Sequence, residues 1–275
     1  MNQPAGEAST DWLWRIQHVH QIGSTNDELL AQRQSGEAPV GSVLVSDQQL
    51  AGKGRLGRSW LAEPGQALLM SVVLPLPADP RRWGLTPLAV GVALVRAIER
   101  QSGHRQPSVG PEGVVMTAID KDQTGRPLLK WPNDVMVVDR KLAGILVEAH
   151  DGVAICGIGL NVCQDQASLG ELAAVSLAML GLQTSPLLMA DLLMAELRDV
   201  WATLLADDDQ LINQYRRLSA TIGQEVMVEL SSTQQLRGLA VDVTNDGRLI
   251  VDEAGQRHLL ASGDVHHLRS LKASR

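Results

Sequence analysis

Phenylalanine is absent from the chain, tyrosine occurs once and cysteine twice. Six tryptophans therefore supply most of the aromatic surface, a bias with no functional reading of its own. The two cysteines, Cys156 and Cys163, fall in a segment that reads as strand and turn. That excludes a disulfide framework or a cysteine metal cluster and points to a reducing, cytoplasmic setting. Basic residues are not in excess: 24 Lys and Arg stand against 31 Asp and Glu, a net charge of −7. The long-range field thus opposes broad binding to nucleic acid or an anionic membrane, although a local basic loop can still hold phosphate. No window approaches the roughly 20 apolar residues of a membrane span. The start, "MNQPAGEAST", lacks the basic residues and apolar run of an export signal. What is present is a chain of 275 residues, 44% hydrophobic, long enough for one large domain with a small one beside it.

Residues 1–11 read as a polar, disordered tail, and the fold begins near Trp12 with "WRIQHVHQI", which alternates as a strand does. In "STNDELL", Thr25 is placed as the cap of a helix whose third residue is Glu28, running to about Gln34. "GSVLVSD" and "ALLMSVVLPL" read as buried strands on either side of a glycine-rich loop. Thr86 and Pro87 read as N-cap and first turn of "PLAVGVALVRAIERQ", closed by Gly103, and residues 103–127 as a loop or protruding hairpin. "LLKWPNDVMVVDRKLAGILVEAHDGVAICGIGLNV" reads as three strands with tight turns at Asp139-Arg140 and Asp151-Gly152. A long helix from Ser185-Pro186 to about Ala206 and a shorter one from Gln210 to Leu218 follow. From Gly223, short alternating strands with turns at "NDG" and "EAG" predict a small β-barrel. The expected class is α/β (α+β): a mixed sheet flanked by helices in residues 1–222, then a small barrel domain in 223–275.

The loop "QQLAGKGRLGRSW" (Gln48 to Trp60) fits two phosphate-binding patterns at once. Gly52, Gly54 and Gly57 satisfy G-x-G-x-x-G, and Gly52, Gly57, Arg58 and Ser59 come one residue short of a Walker A loop. Both patterns need a helix directly after the loop, because the anion rests on that helix's N-terminus. Trp60 is followed instead by "LAEPGQ", whose Pro64 and Gly65 break a helix, and then by a strand. The dinucleotide pattern also wants an acid at the end of the next strand, which "SVVLPL" lacks, and Walker A wants Lys where Arg58 stands. Both readings are set aside. What remains is a strand-loop-strand element in which glycines let the backbone approach a ligand and Lys53, Arg55 and Arg58 can neutralise several anionic oxygens. It suits a nucleoside triphosphate; standing alone it would also suit a solvated hairpin tip.

It does not stand alone. In "KWPND" (Lys130 to Asp134) a lysine ends an apolar strand before a rigid Trp-Pro step, so its ammonium can be aimed at one oxygen. The hydroxyls of "STN" (Ser24 to Asn26) can cap a helix or serve a small polar ligand. In chain order "STN", the glycine-cation loop from Gln49, "KWPND", "KLAGILVE" (Lys141 to Glu148), "GIGLN" (Gly157 to Asn161) and "SGDVHHLR" are spread across residues 12–272. Together they resemble the biotin protein ligase family, the biotin–[acetyl-CoA-carboxylase] ligases. Each motif is weak by itself; six in order are specific. Three departures matter. Lys53 stands where the family usually has Arg, the 103–127 segment is longer than expected, and the helix-turn-helix of repressor-type members does not precede Trp12. The first weakens bidentate phosphate binding at one position, and the last removes DNA-binding repression.

The resemblance implies a class II synthetase-like catalytic domain with an SH3-like terminal barrel, and a two-step reaction. Biotin's carboxylate attacks the α-phosphate of Mg-ATP to give biotinyl-AMP and pyrophosphate, and a lysine of a biotin carboxyl carrier domain then takes the biotinyl group. On that footing Ser24, Thr25, Asn26, Gln49, Lys53, Gly54, Arg55 and Lys130 bind biotin. Lys130 and Arg55 are catalytic, Lys130 bridging carboxylate and α-phosphate, an effect of a class worth roughly 3–4 kcal/mol. Lys53, Arg55, Arg58 and Asn161 bind ATP, with Asn161 also on the magnesium side. Asn133, Asp134 and Lys141 are left between a structural role and ligand contact. The implied partners are biotin, ATP and the carrier domain; a homodimer stays open, and neither DNA nor membrane is expected. His266 and His267 read as decoration of the barrel, since no third metal ligand is evident. Two rivals remain. A lipoate ligase or octanoyl transferase of similar fold is disfavoured by the loop with Gln49, and a non-catalytic biotin or nucleotide sensor by Lys130 and the cations.

Overall fold

The structure, a computed structural model, describes residues 11–103, 125–170, 173–206, 208–231 and 233–268. The N-terminal tail reading and nearly all of the 103–127 reading lie outside them. β1 (Arg15–Ile22) leads into α1 (Thr25–Gln34), and β2 (Ser42–Gln49) returns beside β1 in parallel, as a helical crossover allows. β3 (Ala67–Pro75) pairs antiparallel with β2, and α2 (Leu85–Gln101) follows. β4 (Pro127–Lys130), β5 (Asp134–Val137), β6 (Arg140–His150) and β7 (Val153–Asn161) then form an antiparallel meander, and β7 closes onto β3. The mixed sheet has the order β1-β2-β3-β7-β6-β5-β4. A short α3 (Gln166–Leu169), the long α4 (Pro186–Ala206) and α5 (Asp208–Leu218) complete this part.

Alternation along the central strands assigns each side chain to one of two cores. Val43, Val45, Met70, Val72, Cys156 and Ile158 join the larger core. It is covered by α2, which lies on β6 and β7, and by α4, which lies on β3. The intervening Leu44, Val73, Val153 and Ile155 pack with Leu29 beneath α1. Burying a leucine of this kind contributes about 1.5–3 kcal/mol. Past the start of α1 the second face runs out of large side chains. Register puts Ser71 opposite Gly157, and Gly159 opposite Gly144, where the pattern would otherwise place bulk. That gap is where the site lies.

Local chemistry departs from expectation at four points. Ser24, not Thr25, is the N-cap of α1, its Oγ accepting from Asp27 N at 3.4 Å; Thr25 is the first helical residue. α2 starts at Leu85 behind Gly84, so Thr86 is a buried helical residue rather than a cap. The long apolar stretch is four strands, not three, because Trp131–Asn133 forms a further turn. The β5–β6 turn falls at Val138-Asp139, with Val138 at φ +56°, one residue before the expected place. The Asp151-Gly152 turn is as expected, both residues having the positive φ that a type I′ hairpin demands.

The C-terminal segment is a five-stranded antiparallel sheet of β8 (Glu225–Glu229), β9 (Gln235–Val243), β10 (Leu249–Glu253), β11 (Gln256–Leu260) and β12 (Asp264–His267). Its order is β11-β10-β9-β8-β12, a meander whose last strand returns to its first. Its inward residues, Val226, Val228, Ala240 and Val251 among them, belong to the same contiguous core as the main sheet. Trp131, 2% exposed, spans the seam by donating Nε1–H to Gly247 O at 3.0 Å. No helix of the described residues is long and apolar enough to cross a membrane.

Candidate functional site

The glycine gap on the second face is the floor of a pocket. Ser24, Thr25 and Asn26 enter it from the start of α1, Gln49 from the end of β2, and Gly157 and Gly159 from β7. Gln49 Oε1 accepts from Thr25 N at 2.7 Å and lies 3.0 Å from Thr25 Oγ1. Ser71 Oγ lies 2.7 Å from Thr25 Oγ1 and 2.6 Å from Asn26 Oδ1, and Asn26 Nδ2 donates to Glu148 Oε2 at 2.8 Å. Three contacts among Gln49, Thr25, Ser71 and Asn26 therefore share two hydroxyl protons, since each hydroxyl carries one. The network is one proton short. Asn26 bonds Ser71 and Glu148 and is packed where a Cβ on Gly157 would come within 2.4 Å of its Oδ1.

Lys53, Gly54, Arg55 and Trp60 supply one wall. Trp60 N donates to Gly52 O at 2.9 Å, Gly54 N to Arg58 O at 2.7 Å, and Lys53 bridges Ser59, so the loop is a narrow hairpin whose tip holds Leu56 and Gly57 at positive φ. A turn of 3-10 helix at Arg55–Gly57 is the only helical piece in it, and β3 follows, which agrees with setting the two helix-dependent phosphate patterns aside. Trp60 lies against Gly144 and Gly159, with Lys141 Nζ 5.7 Å from its ring centre. Its Nε1 is buried without a partner, a state that costs about 1–3 kcal/mol.

Each cation of the loop already holds a protein acceptor. Lys53 Nζ lies 2.6 Å from Asp27 Oδ1, a bond that raises its pKa. Arg55 donates to Asn133 Oδ1 at 2.9 Å and Gly263 O at 3.4 Å, and burial lowers its pKa. Arg58 pairs with the Asp264 carboxylate, which raises the pKa of the guanidinium. Lys130 is not in this pocket; it lines a small neighbouring cavity with Pro132, Asn133 and Asp134. Burial pushes its ammonium below the ordinary lysine value, opposed by the charges of Asp134 and Asp264. Asp134 is itself paired with Lys141 at 2.7 Å.

The structure thus brings Ser24, Thr25, Asn26, Gln49, Lys53, Gly54 and Arg55 to one pocket, with Lys130 and Arg58 beside it near Asp264. Asn161 does not line the pocket: it is 4% exposed, its Nδ2 donates to Val175 O at 3.1 Å, and its Oδ1 accepts from Gln164 Nε2 at 3.1 Å. His266, expected to lack further metal ligands nearby, has Glu229 and Asp264 within 4.8 Å of it. His267 is separate: it lies 3.2 Å from Thr221 Oγ1, and burial, aided by the charge of Lys130, pushes its pKa down to about 4. Sequence reasoning missed Ser71, Glu148 and Trp60 as parts of the site. Ser71 carried a signal as the one polar break in "ALLMSVVLPL".

Residues 19–165 match the model of the Biotin/lipoate A/B protein ligase family, and residues 221–268 that of the Biotin protein ligase C terminal domain. A curated biotin--[acetyl-CoA-carboxylase] ligase from Mycobacterium tuberculosis is 37% identical over 259 residues, which cover 93% of this chain and 90% of that one. The chain belongs to the biotin protein ligase family. Another curated relative is the bifunctional ligase/repressor BirA of Escherichia coli, 28% identical over 244 residues, or 85% of this chain and 68% of that one. The biotin protein ligase of Aquifex aeolicus, solved in complex with biotin and ATP, matches the fold with a TM-score of 0.72 at 22% identity, covering 93% of this chain and 99% of that one. The mixed sheet with its C-terminal antiparallel sheet is the fold of this family.

Proposed function

We propose that the chain activates biotin with ATP to biotinyl-AMP and passes the biotinyl group to a lysine of a biotin carboxyl carrier domain. The observation that carries this reading is the floor network one proton short, set beside a cluster of cations. An uncharged N–H of a ureido ring supplies the missing donor to Thr25, Ser71 or Gln49, whereas a dithiolane or an alkyl tail supplies none. The apolar wall of Trp60 and Leu146 accommodates ring and tail.

In this scheme the ligand carboxylate extends towards Arg55, Asn133 and Lys130. Two anions must meet there, and the desolvated ammonium of Lys130 lowers their repulsion as the carboxylate oxygen attacks the α-phosphorus and pyrophosphate leaves. Arg55 and Arg58 exchange Gly263 O and the Asp264 carboxylate for phosphate oxygens. The hairpin then shields the mixed anhydride from water until a carrier amine attacks its carbonyl carbon and AMP departs. Magnesium would enter with the nucleotide as part of the substrate, and the Asp264 carboxylate that Arg58 releases would face it. Residues 1–222 would carry the chemistry, and 223–275 the contacts that hold Arg55 and Arg58.

The test is transfer itself. Incubation with biotin, Mg-ATP and an apo carrier domain should raise the carrier mass by one biotinyl group, and changing the carrier's target lysine to Arg should abolish the gain. Lipoylation under the same conditions, with no biotinylation, would overturn the reading.

A further inference from the structure

The two histidines of "HVH" take no part in the pocket. β1 is the outer strand of the main sheet, and His18 and His20, two residues apart, project from one face of it. The parallel register sets His18 beside Val45, whose side chain belongs to the larger core, so both imidazoles lie on that side of the sheet and outside the pocket lining. Asp47, two residues beyond Val45, shares that face at its uncovered edge. Its carboxylate is divided between the two rings: Oδ1 lies 2.7 Å from His18 Nε2 and Oδ2 lies 2.9 Å from His20 Nδ1. The ring centres are 6.2 Å apart. A tetrahedral ion at ~2.0–2.1 Å from each ligand draws its two imidazole nitrogens to about 3.3 Å from one another, so the rings must swing inward about the shared carboxylate to hold one. The His20 side chain, 97% exposed, is free to make that move.

We propose that His18, His20 and Asp47 form a binding site for a divalent transition-metal ion, with two imidazole nitrogens, one carboxylate oxygen and water as ligands. The donor set selects the class. Imidazole suits Zn²⁺, Ni²⁺ and Cu²⁺, whereas Mg²⁺ and Ca²⁺ want oxygens. The ion would tie the outer strand to β2 just before Gln49, and the backbone of Asp47 also anchors the far end of the loop segment by accepting Gly65 N at 2.9 Å. The group at Glu229, Asp264 and His266 is a different matter, since Arg58 already holds its Asp264.

Calorimetric titration of the tag-free, full-length protein with NiCl₂ in chelator-stripped buffer tests this. One equivalent should bind, and His18→Ala and His20→Ala should each weaken it tenfold or more, while His266→Ala leaves it unchanged. The exposure of His20 keeps folding out of the question for that variant, and circular dichroism checks it for His18→Ala. No measurable binding, binding unaltered in His20→Ala, or loss confined to His266→Ala would each overturn the proposal.

Discussion

A methyl group on Gly157 would sit 2.4 Å from Asn26 Oδ1, and one on Gly159 the same distance from Trp60 Cε2. Neither neighbour can yield cheaply, because Asn26 is tied to Ser71 and Glu148 and Trp60 fills the space above β7. Gly157→Ala should therefore weaken biotin binding tenfold or more by calorimetry, with a melting loss of the order expected for overpacking, about 1–3 kcal/mol. An unchanged biotin affinity would show that the floor moves aside. Lys130 acts at a different stage. With the floor contacts elsewhere, Lys130→Ala should leave biotin affinity within about tenfold but slow adenylate formation by on the order of 10² or more in single-turnover measurements. A near-normal rate in a folded variant would remove Lys130 from the chemistry.

The hairpin from Gly52 to Trp60 is held from outside itself: Lys53 reaches α1, Arg55 reaches Asn133 and Gly263, and Arg58 reaches β12. If those tethers make it a lid, Arg55→Gly should let biotinyl-AMP escape faster, seen as free adenylate accumulating in solution without carrier. Retention equal to that of the unaltered protein would contradict this. How much of such an element can be read in advance depends on how local its causes are. The missing helix after Trp60 was legible from Pro64 and Gly65, and the alternation of β2, β3 and β7 from their aliphatic pattern. The N-cap was misplaced by one residue because Ser24 and Thr25 are equally good caps in isolation; Gln49 and Ser71, distant in sequence, claim the Thr25 hydroxyl. The extra turn at Trp131–Asn133 was hidden by the apolar residues on both sides. The hydrogen bonds of Asn161 to Gln164 and Val175 were not legible in advance, because both partners lie beyond the end of β7.

Across the whole molecule, the two sheets meet where Gly84 and Gly247 approach closely and where Trp131 N donates to Thr221 Oγ1 at 3.0 Å, the same hydroxyl that faces His267. His267 is held neutral there, with its pKa pushed down to about 4. The unfolded chain, with an ordinary value near 6.5, takes up the proton first as pH falls, so stability is intact above about pH 6.5 and declines towards pH 4. After allowance for solvent screening of a partly exposed ring, the loss is about 1–2 kcal/mol. His267→Gln should flatten that part of the urea-midpoint profile, and an equal slope in both proteins would place the pH dependence elsewhere. The same seam delivers Asp264 and Gly263 to the cations, so a neutral, donor-seeking floor and a phosphate-holding wall serve one acid. Exchange of labelled pyrophosphate into ATP measures that directly. One polar contact left without its donor, at about 1–3 kcal/mol, predicts biotin-dependent exchange roughly fivefold or more faster than with lipoate or octanoate. Equal exchange with lipoate, or none with any acid despite measurable biotin binding, would contradict it.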